Sequence, residues 1–178
     1  MKKILIVVDY QKDFVDGALG FDGAERLDEG IAEKISSYPH GCVFYTLDTH
    51  GEDYMQTREG KNLPIPHCIE NTEGHAVYGK TAVALEKAGA VGFKKHSFGL
   101  DITRENLERL PKPDEVESVE LVGLVSNICV ISNAIIFQTL YPQAEIIVDA
   151  SLTDSADKEV NRKAVDVMEG LQVKVSGK

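Results

Sequence analysis

Residues 1–14 read MKKILIVVDYQKDF, and the apolar run Ile4–Val8 within this segment decides the fold. Five consecutive apolar residues, four of them β-branched, predict a strand that is buried on both faces, as in a parallel sheet. The run is short for the apolar region of a signal peptide, and it ends in Asp9 without a small-residue cleavage site. We therefore interpret it as a buried first strand.

Five further apolar runs follow the first one and are separated by segments with helical spacing. The predicted strands are Val43–Leu47, Ala90–Phe93, Val119–Val122, Ile146–Val148 and Val173–Val175. The clearest helical segment follows Ser155, a candidate N-cap, and carries its apolar residues at positions 160, 164, 167, 168 and 171. Strands that alternate with helices form right-handed crossover units. The pattern therefore predicts an α/β fold with an open parallel sheet covered on both faces.

Length, charge and cysteine content exclude several classes of protein. With 178 residues, of which 43% are hydrophobic, the chain can bury one sizeable core, which predicts a single domain over residues 1–178. A net charge of -10 argues against nucleic acid or an anionic membrane as a partner. The sequence contains no apolar stretch of about 20 residues, so no membrane span is predicted. The cysteines at positions 42, 68 and 129 form neither a CxxC pair nor an even disulfide framework, which favours a reducing cytoplasm.

The carboxyl ends of the predicted strands carry reactive side chains. In open parallel sheets the ligand crevice lies at this edge, where loops leave for the helices. The residues that follow the first four strands are Asp9, then Asp48 with His50, then Lys94 with Lys95, and the segment Gly123–Cys129. Because these strand ends meet at one edge, we expect the side chains to form one site.

Cys129 is the candidate nucleophile. It lies in GLVSNICVISNAIIFQTL, where a strand ends at Gly123 and a helix is predicted to begin near Ser126. A thiol in the first turn of a helix experiences partial positive charge, which favours thiolate, and free backbone N–H groups there can bind an oxyanion. From this segment alone, a buried and inert cysteine is the commoner outcome.

Other side chains at these strand ends could act with the thiol. Asp9 ends a buried strand, where desolvation raises a carboxyl pKa towards that of a usable base, although it could instead cap a turn. A lysine beside the thiol would stabilise negative charge, and GFKKHSFG offers Lys94 and Lys95. Phe14 and Phe98 flank these sites and could form an aromatic wall for a flat substrate, although single phenylalanines more often belong to the core.

Asp48, His50 and His67 form a candidate metal site. Residues 48 and 50 alternate along an extended segment and so could point to the same side, and PIPHC supplies His67. One carboxylate and two imidazoles suit a divalent metal and leave positions open for water or substrate. Loop histidines are more often simply solvated, so this spacing predicts a metal less strongly than a CxxC pair would.

Five segments of the chain resemble the isochorismatase-like cysteine hydrolases, in particular their nicotinamidase-related branch. They read DYQKDF at 9–14, DTH at 48–50, LPIPHCIENTEG at 63–74, KHSFG at 95–99 and GLVSNICV at 123–130. They occur in family order over nearly the whole chain. The resemblance implies a three-layer α/β/α sandwich with a six-stranded parallel sheet, the isochorismatase-like hydrolase fold. It also implies that Asp9, a lysine and Cys129 convert an amide to an acid through a thioester.

The resemblance also implies roles for residues around the nucleophile. The metal ligands of the family, usually for zinc with iron or manganese as alternatives, correspond to Asp48, His50 and His67. The cis peptide bond that the family has before its nucleophile would join Leu124 and Val125. The backbone N–H groups of Val125 and Cys129 would then form the oxyanion hole.

The lysine and the substrate are the points at which the chain departs from the family pattern. Counting three residues back from Phe98 selects Lys95 over Lys94 as the catalytic lysine. Nicotinamidases usually carry a ring-stacking tryptophan shortly before the second metal histidine, whereas this chain has no tryptophan and reads LPIP at 63–66. Hydrolysis of nicotinamide to nicotinate and ammonia is the leading prediction, and the protein could form a homo-oligomer. The alternatives are another small amide or ureido compound, or a catalytically silent member that binds a partner.

Overall fold

A computed structural model describes residues 1–178 as an α/β fold with one six-stranded parallel sheet. The strands are β1 Lys2–Val8, β2 Val43–Asp48, β3 Val91–Lys95, β4 Val116–Leu124, β5 Glu145–Asp154 and β6 Lys174–Ser176. Their order across the sheet is β3-β2-β1-β4-β5-β6, and every neighbouring pair is parallel. The predicted fold class and all six predicted strands are confirmed.

Helices cover both faces of this sheet. They are α1 Lys12–Val15, α2 Leu27–Ser37, α3 Arg58–Asn62, α4 Gly79–Ala88, α5 Arg104–Glu108, α6 Ile131–Leu140 and α7 Lys158–Gly170. Short 3-10 turns occupy Ala24–Arg26, Tyr54–Gln56, Glu73–His75 and Pro113–Glu115, and a π-helical turn occupies Ser126–Val130. None of the helices combines the length and the apolar character that crossing a membrane requires.

The first apolar run forms the centre of the sheet. Residues Ile4–Val8 of β1 are at most 1% exposed, because β2 and β4 flank the strand and helices cover both of its faces. Alternate residues belong to two cores, with Ile4 and Ile6 in one and Leu5 and Val7 in the other. The strand order reverses between β1 and β4, and such a switch point opens a crevice at the carboxyl ends of the strands.

Local details differ from the sequence-based expectation in three places. The N-cap of α7 is Asp157, whose carboxylate accepts hydrogen bonds from the N–H groups of Glu159 and Val160, while the Ser155 hydroxyl donates to the Asp157 carbonyl. The segment after β4 begins as a π-helical turn with Val125 at its N-cap position, and Ser126 caps nothing. Strand β5 also extends to Asp154 because, after a register shift, its polar end continues to pair with β4.

Candidate active site

Four strand ends bring the candidate catalytic side chains to one edge of the sheet. Asp9 follows β1, Asp48 ends β2, Lys95 ends β3, and Cys129 lies in the turn after β4. Asp9 and Lys95 are fully buried, and Cys129 is 5% exposed. The sequence-based expectation that these ends converge is therefore met by the geometry.

The Lys95 ammonium group joins two carboxylates and the thiol. Its Nζ lies 2.8 Å from Asp9 Oδ2, 3.2 Å from Asp48 Oδ1 and 3.6 Å from Cys129 Sγ. It also donates a hydrogen bond to the Ser97 carbonyl at 2.8 Å. A fully buried cation normally needs such partners, because the free energy lost when it leaves water is far larger than the free energy gained from one contact.

Lys94 lies outside this cluster. Successive side chains of a strand point to opposite faces, so Lys94 points away from the site that Lys95 enters. It is exposed and forms an ion pair with Glu70. Of the two lysines that the sequence offered, the structure brings Lys95 to Cys129.

Asp9 is held by Thr46 as well as by Lys95. The Thr46 hydroxyl donates to Asp9 Oδ1 at 2.7 Å, which leaves Oδ2 beside Lys95. The backbone of Asp9 has a φ of 43°, in the left-handed region that residues other than glycine seldom adopt. The carboxylate therefore faces the site, and the alternative that Asp9 caps a turn is not what the structure shows.

Burial and charge set the protonation of the nucleophile. Burial raises the pKa of Asp9 above its usual range, against the opposing effect of Lys95. Burial and the nearby Asp9 carboxylate raise the pKa of Cys129 well above its usual range, although Lys95 opposes them. The expected effect of the helix start on the thiol stays a prediction, because burial is the largest influence on this pKa. Cys129 rests as a thiol and needs a base.

The other two thiols lie outside the cavity. Cys68 is fully buried, and burial raises its pKa. Cys42 is 9% exposed within the apolar core between the sheet and the helices. Cys129 is the one cysteine that lines the cavity at the strand ends.

Asp48, His50 and His67 meet beside the lysine, as expected for a metal site. Asp48 Oδ2 lies 3.0 Å from His50 Nε2 and 3.3 Å from His67 Nε2. His67 Nδ1 is bonded to the Ile65 carbonyl at 2.9 Å, which directs Nε2 towards Asp48. Burial alone would raise the pKa of Asp48, but its hydrogen bonds to the two histidines and the charge of Lys95 hold it below its ordinary value.

Glu59 is a fourth member of this cluster that the sequence did not reveal. One ligand atom from each of the four residues lies within 4.8 Å of the others, and Glu59 Oε1 is 3.8 Å from both histidine Nε2 atoms. Glu59 lies on the short helix α3, in a charged segment whose spacing carries no metal-site signal. Two imidazole nitrogens and two carboxylates form a donor set that fits a divalent cation.

Gln11 is a second residue that the sequence did not reveal. Its fully buried amide donates to the Asp48 carbonyl at 3.0 Å and accepts from the Asp48 N–H at 2.8 Å. The same amide donates to the His75 carbonyl at 2.9 Å. Gln11 therefore fixes the backbone that carries Asp48.

A cavity of about 470 Å³ opens over the thiol and the metal cluster. Its wall includes both phenylalanines expected to face a substrate, Phe14 and Phe98, and also Val125 and Cys129. The ring of Phe14 packs against His67 with centroids 5.5 Å apart, whereas Phe98 is 39% exposed. The Leu124–Val125 peptide bond is cis, as the family resemblance implied.

Comparison with known protein families identifies the family of this chain. The family model of the isochorismatase domain matches residues 3–177. The chain belongs to the isochorismatase family. An isochorismatase family protein of Bacillus subtilis described as uncharacterized and called PncA is 30% identical, and the match covers 76% of this chain and 78% of that protein.

Solved nicotinamidases share the fold of this isochorismatase-family chain. The nicotinamidase/pyrazinamidase PncA of Bacillus subtilis has a TM-score of 0.83 and 23% identity, with 99% of this chain and 100% of that chain covered. The pyrazinamidase of Pyrococcus horikoshii, solved in complex with zinc, has a TM-score of 0.81 and 21% identity, with both chains covered completely at 100%. The likeness extends over the whole sheet and its flanking helices.

Proposed function

We propose that this isochorismatase-family protein is a metal-containing cysteine amidase that hydrolyses a small amide, with nicotinamide to nicotinate and ammonia as the leading reaction. The observation that carries the proposal is the buried cluster in which Lys95 Nζ lies 2.8 Å from Asp9 and 3.6 Å from Cys129 Sγ. A thiol, a carboxylate base and a cation in contact, under a cavity, fit covalent acyl transfer. The fold shared with nicotinamidases supports the same assignment.

The first step transfers a proton within the cluster and forms a carbon–sulfur bond. Asp9 Oδ2, the carboxylate oxygen not held by Thr46, accepts the proton of Cys129, and Lys95 stabilises the thiolate that results. The sulfur then attacks the amide carbonyl carbon, and the carbonyl electron pair moves to oxygen. We assign the backbone N–H groups of Val125 and Cys129 to this oxyanion.

The second half of the cycle releases ammonia and regenerates the thiol. Asp9 returns its proton to the amide nitrogen, the carbon–nitrogen bond breaks, and a thioester remains on Cys129. Asp9 then accepts a proton from water, which attacks the thioester carbonyl. The acid leaves, and the sulfur recovers its proton from Asp9.

Asp48, His50, His67 and Glu59 are the residues that would hold the metal. A divalent cation bound there supplies a fixed positive charge and a Lewis acid at the cavity wall. Zinc, iron and manganese all suit nitrogen and oxygen donors of this kind. Gln11 supports the site because it fixes the Asp48 backbone at two points.

The cavity lining carries charges of both signs. Arg58 and His67 lie in it together with the carboxylates of Asp48, Glu59 and Asp157. A divalent cation held by Asp48 and Glu59 would offset these two carboxylates, so the lining does not repel an acidic substrate. The absence of tryptophan beside Leu63 keeps another small amide or ureido compound as the second candidate.

Ammonia release from a panel of amides tests the proposed reaction. Nicotinamide should be hydrolysed, and pyrazinamide and benzamide should show whether the ring nitrogen contributes to binding or turnover. Without the stacking tryptophan that nicotinamidases usually carry, binding should weaken by about 1 kcal/mol, which raises KM several-fold while turnover persists. Turnover of an aliphatic amide or ureido compound with nicotinamide untouched would refute nicotinamide as substrate and leave the cysteine hydrolase class.

The raised pKa of Asp9 predicts loss of activity in mildly acidic solution. Asp9 must be ionised to accept a proton, so kcat/KM should fall as pH decreases through a pKa above the ordinary value of 3.8. The profile should be measured together with metal content at each pH, since histidine ligands also protonate in acid. Full kcat/KM at every pH down to the ordinary carboxyl range would contradict the role of Asp9.

The four-residue cluster predicts bound metal. The purified protein should carry about one divalent ion per chain, and Glu59→Gln should weaken metal retention against a competing chelator at least about tenfold. Glu52→Gln is the matched control. Glu52 is exposed and lies between His50 and Glu59 in the sequence, so this variant should retain metal normally. Metal retained by a His50→Ala, His67→Ala double variant would rule out this site.

A further inference from the structure

The cavity has the volume of a site for drug-sized ligands, and much of its lining is apolar. Its volume of about 470 Å³ falls within the range of roughly 300 to 1,000 Å³ that encloses drug-sized ligands. Leu63, Phe98 and Ile128 line it and remain 36%, 39% and 37% exposed. Apolar surface left exposed inside a concave site is surface that a bound apolar group would remove from water.

Part of the apolar wall is formed by residues outside the proposed catalytic cluster. Phe21, Ala156 and Val160 line the cavity, and the last two belong to the segment that begins α7. Lys158 lies 5.2 Å from the centroid of the Phe21 ring, which places Phe21 against the same segment. The α7 amide groups of Glu159 and Val160 are already bonded to Asp157, so this part presents hydrocarbon rather than free donors.

We infer that the cavity accepts, besides single-ring amides, primary carboxamides whose apolar body exceeds one six-membered ring, with the second apolar group against Phe21, Ala156 and Val160. The inference rests on the proposed function for the placement of the carboxamide at Cys129. Binding energy from the second apolar group would hold the carboxamide over the thiol.

Binding to the Cys129→Ala protein tests the inference without turnover. Calorimetric titration should give 2-naphthamide a Kd about tenfold lower than that of benzamide, which corresponds to about 1.4 kcal/mol. Val160→Trp, added to this background, fills the space beside Phe21 and Ala156 and should bring the ratio close to unity. Ala156→Phe is a second variant with the same expectation, and thermal melting shows whether each is folded.

Val167→Trp is the matched control. It lies on the same helix, is 52% exposed and is not part of the cavity lining, so the tenfold preference should persist. Equal Kd values for the two amides in the Cys129→Ala protein would overturn the inference, as would a preference that survives both Val160→Trp and Ala156→Phe.

Turnover by the unmodified protein separates this inference from the proposed function. A kcat/KM about tenfold higher for 2-naphthamide than for benzamide would support both. Hydrolysis of nicotinamide with equal Kd values for benzamide and 2-naphthamide would overturn the inference and leave the function. Tighter binding of 2-naphthamide with no ammonia from any amide would overturn the function and leave the inference about the cavity.

Discussion

Cys129→Ala is expected to lower kcat for amide hydrolysis by about four orders of magnitude or more, while the protein remains folded. The substitution removes the only thiol in the cavity wall, and loss of a covalent nucleophile removes the pathway rather than one contact. Ammonia release under saturating amide gives kcat, and the melting temperature reports the fold. The change removes one sulfur atom and no hydrogen bond on which the backbone depends.

Cys68→Ala and Cys42→Ala are the controls for this prediction. Both thiols are buried outside the cavity, so each variant should lose some stability from the small void and keep its turnover. Near-normal turnover in Cys129→Ala, with activity lost in Cys68→Ala, would show that the nucleophile had been assigned to the wrong residue. Cys68 adjoins His67, which makes it the informative comparison.

Lys95→Met is expected to have the second-largest effect, because it removes the cation from a fully buried cluster. Asp9 and Asp48 would then lie close together without the Lys95 ammonium group that contacts both of them. Breaking a buried ion pair in this way lowers the free energy of unfolding by about 3 to 5 kcal/mol. Chemical denaturation measures that loss. Turnover should also collapse, because the thiolate loses the positive charge that lowers the pKa of Cys129.

Lys94→Met is the matched control on the neighbouring residue. Lys94 is exposed and pairs with Glu70 at the surface, where an ion pair contributes no more than about 1 kcal/mol. The rate of Cys129 alkylation at fixed pH separates the two variants. It should fall in Lys95→Met and stay unchanged in Lys94→Met, and the reverse pattern would transfer the role to Lys94.

The fold was predictable because the apolar pattern marks each buried strand. Ile4–Val8 is apolar throughout, and the structure buries it on both faces in the centre of the sheet. The same logic located the site, since polar residues that directly follow parallel strands must meet at one edge. The apolar pattern could not predict the end of β5, because the last residues of this strand are polar and pair with β4 through the backbone.

Some residues of the site could not be predicted from any single segment of the sequence. Glu59 reaches the histidines from a short helix, and Gln11 holds Asp48 through backbone contacts, so neither role leaves a spacing signal. The raised pKa of Cys129 depends on its burial beside Asp9, which the local sequence does not show. Such effects arise from tertiary packing rather than from local sequence.

Mass spectrometry of acid-quenched protein during amide turnover tests the central claim, that Cys129 attacks the carbonyl, most directly. A population of chains heavier by the acyl group of the amide is expected, with the added mass on the peptide that contains Cys129. The same adduct should be missing from Cys129→Ala and should disappear once the amide is consumed. An adduct on another residue, or acid formed at an unchanged rate by Cys129→Ala, would contradict the account.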